Sequence, residues 1–235
     1  MTENKKFSLE YLSYRLPYYG VIIFIIFNFI AMILYPGGTY QNPDLEIYKF
    51  TQNYFSDLGR TLTMDQTQNF FSSFIFNNSL LMIGILFGLF YYFLPNLFIC
   101  NSSAHLLSKI ASGIAITSGI AFAGVGLTPS DLYLDGHMFF VRWAFRSFFI
   151  ASVIFIIAIY KAEEWDNKYS IIYIGFTLIL LLYILIMDFG PKGKESMQGL
   201  IIQVVAQKTI AMAFIISVYM KSKGALEIYK QKTLN

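Results

Sequence analysis

The chain alternates long apolar runs with short polar breaks, and the runs have membrane length. A helix needs about 20 mostly apolar residues to cross a hydrocarbon core. Six stretches qualify, at about 18–35, 78–98, 107–127, 136–160, 169–187 and 197–220. Pro36-Gly37-Gly38 stops the first, and Thr128-Pro129-Ser130 closes the third. The pattern predicts an all-α fold, a polytopic bundle of six transmembrane helices forming one integral membrane domain over 1–235. The first stretch is too long for the apolar part of a signal peptide, and no small-residue cleavage site follows it. It is expected to remain as a span.

The breaks are unequal. The one from Pro36 to Asn77 is much the longest, and loops of that size usually carry function or structure of their own. Its aromatic strings, 48–55 and 70–76, are expected to lie along the bilayer surface or to cap the bundle. The third stretch carries Ala111, Ala115, Gly119 and Ala123 at steps of four. Such a stripe lets two helix backbones approach closely in lipid, and it predicts a central place for the third helix.

Lysine and arginine in the short loops set the orientation. With the N-terminus inside, Lys5, Lys6, Arg15, Lys109, Lys161, Lys168, Lys221, Lys223, Lys230 and Lys232 are inner, against Lys49, Arg60, Lys192 and Lys194 outside. The expectation is a multi-pass plasma-membrane protein with both termini cytoplasmic. Composition agrees: 13% of residues are charged and 56% hydrophobic, against about 25% charged in soluble domains. A soluble enzyme and a disordered chain are excluded. The net charge of +3 is too small and scattered for a nucleic-acid partner. Cys100 is alone, so no intrachain disulfide or cysteine metal cluster is expected.

Ionisable groups inside the spans cost roughly 2.5–3.5 kcal/mol each near the membrane centre, so each should be paired or line a cavity. Arg142 and Arg146 share one face of the fourth helix, four residues apart. Lys208 lies in the sixth helix, with Gln203 and Gln207 just above it. His137 opens the fourth helix and Asp188 ends the fifth, both at the outer face. Asp57 and Arg60 of the long loop can reach the same mouth. This set predicts an outward-facing cavity between helices four and six that binds a lipid headgroup or another polar or anionic group. Arginine suits such groups because its planar fork binds two oxygens at once. The competing reading is a closed salt-bridge network. Four cations (Arg60, Arg142, Arg146, Lys208) face four acids (Asp57, Asp131, Asp135, Asp188).

Catalytic patterns are sparse. His105 and His137 fall on opposite faces, and neither a zinc-protease nor a phosphate-loop motif is present. No metal and no cofactor are expected. A lipid-modifying enzyme would have to use His137 with Asp131 or Asp135 and one of Ser56, Ser130 or Ser147. A small-solute transporter is the other alternative. Membrane lipids are the expected partners, and the oligomeric state stays open.

The string Tyr54-Phe55-Ser56-Asp57-Leu58-Gly59-Arg60-Thr61 resembles the N-x-[IF]-S-[DE]-L-G-x signature that follows the first span in the DUF998 family of six-span membrane proteins. Phe70-Phe71, Phe76-Asn77, Gly126, Pro129, His137 and Phe139-Phe140 also fit that family. A more distant likeness is to the Frag1/DRAM/Sfk1 membrane proteins, which have six spans, a similar string and a histidine opening the fourth span. The likeness implies Asp57, Gly59 and His137 as family-type positions and a link to lipid remodelling or sorting. Those proteins carry an acid in the last span, where this chain has Gln207-Lys208.

Overall fold

The structure is a computed structural model and describes residues 8–234. Six helices are long and apolar enough to cross a membrane. They are α1 (Leu9–Leu34), α2 (Phe70–Phe93), α3 (Ser102–Leu127), α4 (Leu134–Lys161), α5 (Asn167–Phe189) and α6 (Met197–Leu234). Short 3-10 turns cover Phe55–Gly59 and Leu94–Leu97, and no strand occurs among the described residues.

The helices begin earlier or end later than hydropathy alone places them, because polar turns outside the hydrocarbon are still helical. Ser8 caps α1 by accepting from the Tyr11 amide at 3.1 Å, well before the apolar run starts. Two turns of the expected interfacial string belong to α2. Phe70, Phe71 and Phe74 stay on its outside, 59–69% exposed. The largest departure is α6. At 38 residues and 1.5 Å per residue it measures about 57 Å, nearly twice the hydrocarbon core. Its C-terminal third continues along the bundle, and Ala225, Ile228 and Tyr229 are buried there.

Each helix packs on its neighbours in sequence, and α6 returns to α1 to close a ring. The expected central α3 is therefore corrected. It belongs to the ring, with Ile110 and Ile120 turned outward. Its small residues do pack closely: Ala111 and Ala115 are fully buried, and a Cβ on Gly84 of α2 would overlap the Gly119 carbonyl. The axis is filled by rings instead of a helix. Phe214 of α6 lies 4.6 Å from Phe148, 5.0 Å from Phe176, 5.4 Å from Phe122 and 6.3 Å from Phe87, centre to centre. These come from four other helices, so Phe214 joins most of the ring through one side chain.

Candidate functional site: a roofed apolar chamber

Above the phenylalanine plug the ring encloses a chamber of about 120 Å³. Val21 and Phe24 of α1, Leu80 and Ile83 of α2, Phe122 and Val125 of α3, Val141 and Phe145 of α4, and Ala211 and Ile215 of α6 line it. Only Ser56 and Gln207 bring polar atoms to its wall. The sequence reading placed a polar cavity between α4 and α6. The structure places a hydrocarbon-lined one there, shared with α1, α2 and α3.

The long loop between α1 and α2 is its roof. Asp57 is 2% exposed and orders the turn by accepting from the Tyr54 amide at 2.8 Å and the Asn53 side chain at 3.3 Å. Burial pushes its carboxyl up to about 6, while those hydrogen bonds pull the other way. Leu58 is fully buried against Ala31, Tyr35, Phe76 and Leu80. Gly59 must be glycine because a Cβ would overlap Phe76 and the Asn77 side chain. Phe55 and Ser56 face down into the chamber. The signature-like string is thus a built lid, with a physical task at each position.

Side chains of α6, α3–α4 and α2 hold the lid. Gln207 accepts from the Phe55 amide at 2.7 Å. Lys208 is 7% exposed and donates to the Asn53 carbonyl. Its ammonium stands 4.9 Å from the ring centre of Phe50, 5.0 Å from Phe55 and 5.4 Å from Tyr48. Asp131, in the α3–α4 connection, accepts from the Thr61 and Leu62 amides at 3.0 and 2.9 Å. Burial pushes its carboxyl up, but the Thr61 and Leu62 hydrogen bonds outweigh it and hold the group below the usual range. Arg60 turns inward and donates to the Leu62 carbonyl at 2.9 Å.

The remaining predicted residues lie elsewhere. Arg142 and Arg146 are exposed on the outside of α4 and do not meet Lys208. Arg146 reaches outward to Asp188 at 2.8 Å. Its long stem lets the guanidinium snorkel. Gln203 donates to the Ile186 and Pro191 carbonyls at 2.7 and 3.1 Å, satisfying the end of α5. His137 is buried, and its Nδ1 donates to the Thr128 carbonyl at 2.8 Å, tying the start of α4 to the end of α3. With Nδ1 on that carbonyl, His137 does not present it to Asp131 or Asp135. The predicted set thus separates into a lid group (Asp57, Arg60, Gln207, Lys208), a helix-end group (His137, Gln203) and a lipid-facing group (Arg142, Arg146, Asp188).

Sequence reasoning missed two residues. Asn53 is the roof's hub, fully buried. Its amide reaches the Gly38 carbonyl at 2.7 Å, and its oxygen accepts from the Lys49 amide at 2.9 Å. The asparagine that opens the family signature pointed to it. Lys221 was assigned to the inner tail but is 2% exposed below the plug. Its ammonium lies 3.3 Å from the Phe155 ring centre and 4.0 Å from that of Tyr173, and it donates to the Tyr173 hydroxyl at 2.7 Å. Hydropathy could not find it, because Lys221 and Lys223 directly after an apolar run read as a span's end.

No group of three or more histidine, cysteine or acidic side chains among the described residues could hold a metal ion. Comparison with curated proteins and with solved structures finds no match. The model of the family described as "Protein of unknown function (DUF998)" matches residues 19–220, and the chain, a multi-pass membrane protein, belongs to that family.

Proposed function

We propose that the protein binds a membrane lipid by taking part of its hydrocarbon chain into the roofed chamber. The carrying observation is the wall: an interior void lined almost wholly by apolar side chains, inside a helix ring that sits in hydrocarbon. Water gains nothing there, since an apolar cavity of this size stays dry, whereas the bilayer supplies a filler of matching chemistry. The Ser56 hydroxyl, at the top of the wall, offers the polar end of such a molecule a hydrogen bond.

A route exists. Among the described residues, the hydrogen bonds and ring contacts between α1 and α6 all lie in their inner halves. Tyr11 and Tyr14 meet Tyr229, Tyr18 meets Tyr219, and Ser222 donates to the Tyr14 carbonyl. Further out the two helices face each other across the chamber through Phe24, Ala211 and Ile215. A chain from the outer leaflet can enter sideways between them.

The test is to fill the chamber. In native mass spectrometry of gently solubilised protein, Ala211→Trp should lose one bound lipid per chain relative to the wild type. It should cost less than the roughly 1–3 kcal/mol of overpacking a filled core. Unchanged lipid retention by a folded Ala211→Trp protein would sink the reading.

A further inference from the structure

A second feature, independent of the chamber, lies on the outside of the ring. A groove runs between α3 and α4, from Asp135 past Arg142 and Trp143 to Ile150, with Gly113 and Thr117 on its other wall. Its depth is marked by the neighbouring Arg146–Asp188 pair, because Asp188 is in the last turn of α5. Arg142 stands one turn further out than Arg146, which sets its guanidinium among headgroups. Both Arg142 and Asp135 are exposed, and among the described residues neither has an ion-pair or hydrogen-bonded partner. They lie seven residues apart on one helix, hence two turns apart on nearly the same face. The groove therefore presents an unpaired cation and, outward of it, an unpaired anion. Below them the wall mixes the apolar Ile114, Trp143 and Ile150 with Thr117, Ser147 and the stem of Arg146, and nothing lies within 4 Å of a Cβ built on Gly113.

We propose that this groove binds a phospholipid whose head carries both a phosphate and a free ammonium, the phosphoethanolamine class. The phosphate sits on the Arg142 fork, which binds two of its oxygens. The ammonium points outward to Asp135, and one chain runs inward along Trp143 and Ile150. Trp143 is 54% exposed and suits the interface, where an amphipathic ring sits at headgroup level. A lipid with only negative charge would meet Asp135 unfavourably, and a quaternary ammonium could not donate a hydrogen bond to it.

Purified protein is offered equal amounts of phosphatidylethanolamine, phosphatidylglycerol and phosphatidylcholine in mixed micelles, and bound lipid is read by native mass spectrometry. The wild type should retain phosphatidylethanolamine preferentially. Arg142→Gln should lower occupancy of the groove, read as one of two lipid adducts per chain, about fivefold for all three lipids, as expected for one interfacial charge. Asp135→Asn should abolish the preference for phosphatidylethanolamine over phosphatidylcholine and leave total retention intact. Both positions are exposed, so both variants should unfold at the wild-type temperature. Ala211→Trp, which fills the chamber, should leave the headgroup preference unchanged, so the two lipid readings fail separately. Equal retention of the three lipids by the wild type, a preference for phosphatidylglycerol, or a preference that survives Asp135→Asn overturns the proposal.

Discussion

Two buried ionisable side chains show what single residues do in this fold. Lys221 has no ion-pair partner among the described residues, and three rings and one hydroxyl take the place of a counter-ion. Replacing a buried charge by an apolar side chain of similar volume is often neutral or stabilising, whereas removing its partner is costly. Lys221→Met should therefore keep or raise the thermal unfolding temperature in detergent. Tyr173→Phe should lower stability by about 1–3 kcal/mol, because it leaves the ammonium without its hydrogen bond. Asp57 gives a pH signature. Burial raises its carboxyl from an ordinary 3.8 to about 6, so the folded chain holds that proton more tightly than the unfolded one. The resulting stabilisation is complete below pH 3.8 and lost as pH rises through about 6, at most about 3 kcal/mol. Asp131, held low, acts oppositely, and its contribution fades only as pH falls below 3.8. The unfolding-temperature advantage of the wild type over Asp57→Asn, which keeps an acceptor for the Tyr54 amide, should thus shrink from pH 4.5 to 7.5. An unaltered slope in the variant would refute the assignment.

At the scale of elements, the structure separates what spacing encodes from what it does not. Six helices were legible because each span needs a run of apolar residues that no turn could tolerate. The α3 stripe was legible as a close-packing face, since steps of four align small residues on one side of a helix. Its neighbour was not legible: spacing names a face, not a partner, and so α3 was placed centrally instead of in the ring. The lid's importance was readable from the signature-like string, whose opening asparagine pointed to Asn53, but its role as the hub came only from Lys208 and Gly38 converging on it. Arg142, Arg146 and Lys208 were grouped by depth alone, and helix rotation then divided them between the inside and the outside of the ring. A paired substitution tests the α2–α3 contact. Gly84→Leu drives a side chain into the Gly119 carbonyl and Ala123 and should cost about 1–3 kcal/mol or more. Gly113→Ala, with open space around it, should be neutral or gain up to about 1 kcal/mol from helix propensity. Thermal unfolding of both variants in one detergent decides between a tight and a loose seam.

For the whole molecule, the ring geometry puts Ser8 beside Tyr229 and groups Cys100, Glu164 and Lys232 at one end. The roof and the outward end of the α3–α4 groove lie at the other. Which end faces the cytoplasm follows from the basic residues, and the structure narrows that margin. Lys221 leaves the inner tally because it is buried, while Arg142 and Arg146 join the outer side by reaching toward its surface. Nine inner basic residues then face six outer ones. The bias still favours cytoplasmic termini. Cys100 is exposed and is the chain's single cysteine, so it is a native reporter. Glu164 holds its thiol above the ordinary value, which calls for labelling at alkaline pH, where the thiolate forms. A membrane-impermeant maleimide should leave Cys100 unmodified in intact cells and modify it after permeabilisation. In a Cys100→Ser background, Lys194→Cys should show the reverse pattern. If Cys100 is instead labelled from outside, the molecule is inverted, and both the lateral route and the groove would draw their lipids from the inner leaflet.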